Sequence, residues 1–73
     1  MSCTLEELYK AIEKRYKDII KESDIQWYPR IIDKRKGIAI VTFYKNTNSF
    51  SAIFECNKNG RESYWYCTRD WND

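Results

Sequence analysis

Apolar residues in the first third of the chain fall three and four apart: Leu5, Leu8, Tyr9, Ile12, Tyr16, Ile19 and Ile20. Such spacing gathers them on one side of a helix. Thr4-Leu5-Glu6-Glu7 opens the run as a capping box, the threonine oxygen accepting from the Glu7 N–H while the Glu7 carboxylate reaches back to the cap. The other side alternates acid and base, five of each over residues 4–22, and reads as a solvated face. A helix is predicted over about residues 5–22.

After Ser23-Asp24 the period drops to two. Four β-rich runs follow, over about residues 25–34, 38–45, 50–57 and 62–69. Pro29 lies inside the first, which assigns that strand to a sheet edge or a bulge. Arg35-Lys36-Gly37 suits a short hairpin loop, Asn46-Thr47-Asn48 a turn, and Asn59-Gly60 a two-residue turn with positive φ. Short connections imply an antiparallel meander. The expected fold is therefore α+β: an N-terminal amphipathic helix packed on one face of a four-stranded sheet, αββββ, in one domain spanning residues 1–73.

The Asn59-Gly60 turn predicts a register: Lys58 with Arg61, Cys56 with Ser63, Phe54 with Trp65, Ala52 with Cys67. Alternation then sends Phe50, Phe54, Trp65 and Cys67 to one face, together with Ala39, Val41, Phe43, Ile25, Trp27 and Ile31. That face is assigned to the helix. The outer face receives Tyr28, Arg30 and Ile32 from the first strand and Ile40, Thr42 and Tyr44 from the second. Ser51, Ile53 and Glu55 come from the third strand, and Tyr64, Tyr66 and Thr68 from the fourth. A sheet side left in water should read polar. This one carries a band of Ile32, Ile40, Ile53 and Tyr66 flanked by tyrosines, the kind of contiguous patch that marks an interaction site. Three features count against it: the tail from Arg69 to Asp73 folding back to lay Trp71 on the band, the general preference of sheets for tyrosine and isoleucine, and a first-strand register off by one, which swaps Tyr28 and Ile32 inward for Trp27 and Ile31.

Composition narrows the chemistry. A chain of 73 residues buries only about 60% of its unfolded surface, so its core alone gives marginal stability. Thirteen basic against eleven acidic residues leave a net charge of +2. Topology nevertheless concentrates Lys34, Arg35, Lys36, Lys58 and Arg61 at one end of the meander, a basic rim able to steer an anionic partner. With three cysteines and no histidine, no zinc site can be written, and no cofactor or catalytic residue is assigned. The odd count and the lack of a signal-peptide core argue against a disulfide; Cys56 and Cys67 are expected to pack as small residues. No apolar run is long enough to span a membrane, and the expected location is the cytoplasm.

Three functions fit these features. The first is a non-enzymatic binding protein whose outer face, through Tyr28, Arg30, Ile32, Ile40, Tyr44, Ile53, Tyr64 and Tyr66, docks on a protein partner or on a second copy as a homodimer. The size, the Lys/Asn/Ile-leaning composition and the lack of a catalytic motif resemble those of small phage or mobile-element proteins that block host enzymes. The second is a single-stranded nucleic-acid or nucleotide binder, stacking bases on the sheet tyrosines beside the basic rim. The third is a metal-independent ribonuclease using Tyr64, Tyr66 and Arg30.

Overall fold

In the computed structural model, which describes residues 3–59 and 63–72 (Asn72 by its backbone alone), Thr4 starts the first helix as its side chain requires. Thr4 Oγ1 accepts from the Glu7 N–H at 3.1 Å. Helix α1 runs Leu5–Arg15 and a single turn, α2, covers Lys17–Ile20. The single helix expected to residue 22 is thus interrupted at Tyr16, whose φ of −113° and ψ of 28° leave the helical region. The side chain explains the break. Tyr16 is only 7% exposed, with its ring 5.1 Å from Phe43 and 5.3 Å from Phe50, and its hydroxyl donates to Asp70 Oδ2 at 3.1 Å. Leu8 and Ile12 complete the buried stripe, while Leu5 and Tyr9 sit at its exposed margin, Tyr9 turning its edge to Trp27.

The sheet consists of β1 Ile25–Asp33, β2 Ile38–Lys45, β3 Asn48–Asn57 and β4 Tyr64–Asn72, antiparallel throughout in the order β1-β2-β3-β4. The architecture is the expected α+β αββββ meander with the helical layer on one face. Pro29, which has no N–H to give, lies on edge strand β1. Asn46, at φ 56°, turns β2 directly into β3. On the inner face Ala39, Val41, Phe43, Ala52, Phe54 and Trp65 are buried against Leu8, Ile12 and Tyr16. The two alanines leave room for the helix to settle between bulkier neighbours.

The last hairpin departs from expectation. Cys56 pairs with Trp65 and Phe54 with Cys67, a slip of two residues, and past a bulge Ala52 pairs with Asp70, a slip of three, so β4 runs from residue 64 to 72 instead of 62 to 69. Residues 58–63 join the strands, and Gly60, Arg61 and Glu62 lie outside the described residues, as does the Asn59-Gly60 turn. Packing at Trp65 accounts for the register: its ring is 6% exposed and its Nε1–H donates to the Thr4 carbonyl at 2.9 Å, tying β4 to the start of α1. From Tyr64 to Cys67 a slip of two keeps each residue on its predicted face, because the strand period is two.

The cysteine arithmetic is corrected as well. Cys3 and Cys56 form a disulfide across 53 positions of sequence, and Cys67 is the free thiol. An odd count forbids only complete pairing. Trp65 brings the start of α1 over β3, and the Cys3 and Cys56 Cα atoms stand 6.0 Å apart, the usual span of a bridge.

Candidate functional site

Cross-strand pairing lays out the outer face in rows. The central row is Arg30, Ile40, Ile53 and Arg69, one residue from each strand, with the isoleucines in the middle and an arginine on each edge strand. The next row toward one end is Tyr28, Thr42, Ser51 and Trp71, followed by Gln26, Tyr44 and Ser49. Toward the other end come Asp33, Ile38, Glu55 and Tyr66, then Asn57 and Tyr64. Ile32 is the extra residue of a bulge between Ile31 and Asp33, and stands out from β1 with half of its surface exposed.

Alternation puts these side chains away from the helices, and no described element covers them. Tyr28 is 57% exposed and Tyr64 52%, with Tyr44 and Tyr66 also exposed. Ile40 and Ile53 are half-buried by their neighbours on the sheet. The tyrosines form two corner pairs, Tyr28 with Tyr44 at 5.9 Å between ring centroids and Tyr64 with Tyr66 at 6.0 Å. Hydrogen bonds from the Tyr28 hydroxyl to Gln26 Oε1 (3.1 Å) and from Asn57 Nδ2 to the Tyr64 hydroxyl (2.9 Å) fix the outer ring of each pair. Between Tyr28, Arg30, Ile40, Thr42 and Tyr44 lies a shallow depression of about 410 Å³.

Two members of this surface reach it by a route that strict alternation does not suggest: Arg69, which has no place on it in the sequence reading, and Trp71, which that reading brings there only by a fold-back of the tail. In an unbroken ladder both would point inward. Thr68 is instead the extra residue of a bulge between Ile53 and Phe54, its hydroxyl donating to the Ile53 carbonyl at 3.3 Å. Beyond it the parity reverses. Asp70 turns inward to accept from the Tyr16 hydroxyl and to face Arg15 at 3.4 Å, while Arg69 and Trp71 turn outward, the guanidinium 5.3 Å above the indole. Burial raises the Tyr16 hydroxyl pKa well above its ordinary value, and the hydrogen bond that Arg15 Nε–H donates to the Tyr16 oxygen at 3.3 Å raises that of Arg15. The sequence did hold a trace of the bulge: Tyr64 and Tyr66 are even-numbered, Trp71 is odd, and only an inserted residue sets all three on one face.

Trp71 reaches the outer face from within β4 rather than by folding back, and it lies over the end where Ser51 is buried against Thr42 Oγ1. The rows through Ile40, Ile53 and Glu55 stay open. Arg30 on β1 and Tyr64 and Tyr66 on β4 occupy opposite edges of the sheet, about 14 Å apart at the usual strand spacing, so the three are not brought into one cleft.

The basic rim forms as the topology requires, among the described residues. The Lys58 ammonium donates to the Arg35 carbonyl at 3.0 Å, and the Cys56 N–H bonds the Gly37 carbonyl at 2.8 Å, joining the first hairpin loop to the end of β3. Lys34, Arg35 and Lys36 are exposed there; Arg61 lies outside the described residues. Lys34 and Lys58 also flank a groove of about 530 Å³ floored by Ile31, Gly37 and Trp65. Among the described residues no cluster of three Cys, Asp or Glu side chains converges as metal ligands do, and no helix is long and apolar enough to cross a membrane. Compared with known proteins, the chain matches no family model, no curated protein and no solved structure.

Proposed function

We propose that this chain is a non-enzymatic binding protein that docks on a protein partner through the outer face of its sheet. One observation carries the reading: the helical layer covers one face of the sheet, and on the other Tyr28, Ile32, Tyr44, Tyr64 and Tyr66 remain exposed around Ile40 and Ile53. Tyrosine, tryptophan and arginine around an aliphatic centre are the residues enriched in interface cores and hot spots. A module of this size acts by covering a surface of its partner, as a small phage-encoded inhibitor of a host protein does. We place its work in the cytoplasm, of the host cell if the gene is a phage's. Reductants there hold Cys3 and Cys56 as thiols, so the docking face must form without the crosslink.

Affinity capture from nuclease-treated lysate tests the reading with two charge changes. Tyr66→Glu, on the outer face, is expected to lose the captured protein at least tenfold, while Lys17→Glu, on the exposed side of α2, retains it. Equal capture by both variants contradicts the assignment, and a partner lost to nuclease alone points to nucleic acid.

A further inference from the structure

Charge is divided unequally between the two layers. The helices and their exit carry six acids, Glu6, Glu7, Glu13, Asp18, Glu22 and Asp24, against the four lysines and one arginine of the same segment. Among the described residues the sheet has only Asp33, Glu55 and Asp70 as acids, and Asp70 is turned inward onto Tyr16 and Arg15. On the outer face itself Arg30 and Arg69 stand in the central row, and the two acids, Asp33 and Glu55, share the Ile38 row next to the basic rim; neither arginine forms an ion pair among the described residues. The basic rim adds to the same sign at one end. The sheet layer is therefore cationic, with seven basic against three acidic side chains among the described residues, although the whole chain is nearly neutral. Its central outer row presents two arginines without ion-pair partners among those residues.

We infer that the partner is an acidic protein segment, which seats one carboxylate against Arg30 in the depression between Tyr28 and Tyr44. A second carboxylate meets Arg69 about 14 Å away, and aliphatic side chains cover Ile40 and Ile53 between them. The inference rests on the docking role proposed above and adds the chemistry of what docks. Arginine is suited to it, since its planar fork takes a carboxylate through two N–H groups at once. The depression supplies tyrosine rings and Ile40 for the methylene stem of a glutamate and Thr42 at its floor.

The same layout disfavours the other two occupants. A second copy docked face to face about a two-fold axis parallel to the strands sets Arg30 opposite Arg69, and an axis along the central row sets each arginine opposite itself. Like charges so placed cost several kcal/mol. A nucleic-acid strand needs a run of rings to stack on. Here the rings are held at two corners, tilted 58° and 56° within each pair, Arg69 covers Trp71, and the centre between them is aliphatic.

Three probes separate the outcomes by fluorescence titration of the full chain at low salt. They are a helical peptide with two glutamates eleven residues apart, about 16 Å along one face and flanking a leucine stripe, its glutamine twin, and an oligo(dT) of about twelve nucleotides. The glutamate peptide is expected to bind at least tenfold more tightly than its twin. Raised salt, Arg30→Glu and Arg69→Glu should each weaken it about tenfold, and Ile53→Ser severalfold. Failure of the glutamate peptide to bind, equal binding of the twin, or tighter binding of oligo(dT) overturns the inference. A twin that binds equally yet is lost in Ile53→Ser and Tyr66→Glu leaves the docking face standing with the wrong partner chemistry. Peptide binding indifferent to all four substitutions removes the docking face itself. Near-ultraviolet circular dichroism of each variant confirms that it is folded, and sedimentation of the free chain as a concentration-dependent dimer also counts against the inference.

Discussion

Gly37 and Tyr16 each carry more of the structure than their neighbours. Gly37 sits at φ +73°, and a Cβ there would lie 2.7 Å from the Cys56 Cβ. Gly37→Ala combines a strained backbone with that clash and is expected to destabilise by about 2 kcal/mol, read as a lower urea midpoint. Tyr16 gives the fold a pH dependence. Its raised pKa means that the folded chain keeps the phenolic proton where the unfolded chain, with tyrosines near 10, releases it. The contribution is therefore complete below about pH 10 and is lost as pH climbs toward the folded value. Urea unfolding between pH 9 and 11 should show a steeper decline for the natural chain than for Tyr16→Phe. At neutral pH that variant should give up about 1 kcal/mol with the Asp70 bond. Parallel declines above pH 10 would contradict the role given to burial.

At the scale of elements, β4 and the crosslink decide how the layers join. The Cys3–Cys56 bridge closes a long loop, and its stabilisation is expected near 3 kcal/mol. Reduction should lower Tm by about 10–20 °C without unfolding the chain at 25 °C, as followed by circular dichroism with and without reductant. Loss of the fold on reduction would contradict the cytoplasmic placement. Faces proved more legible in the sequence than registers. Alternation placed Tyr28, Arg30, Ile40, Ile53, Tyr64 and Tyr66 on the outer side because a period of two survives any even slip. The register of β4 was hidden because Asn59-Gly60 is a local signal, whereas the Trp65 to Thr4 bond that sets the pairing spans most of the chain. The disulfide was hidden for the same reason: the proximity of Cys3 and Cys56 follows from how α1 lies on the sheet. The break at Tyr16 likewise depends on Asp70, which faces inward only because of the bulge at Thr68.

For the whole molecule, the consequence is a polarised small domain, with a near-neutral helical layer behind and a cationic aromatic sheet in front. Such a field steers encounter more than it holds the complex. Reversing the rim charges with Lys34→Glu, Arg35→Glu and Lys36→Glu should slow association with the captured partner about tenfold at low salt and leave dissociation within about twofold, as read by surface plasmon resonance. A change confined to dissociation would move the rim into the contact itself. The placement of the docking face is tested most directly by photocrosslinking in living cells, with benzoylphenylalanine put in turn at Tyr28, Tyr66 and, on the helical side, Lys17. One protein adduct, common to the Tyr28 and Tyr66 positions and missing at Lys17, is the expected result; an adduct at Lys17 with none at the two tyrosines would show that the partner lies on the other side of the molecule.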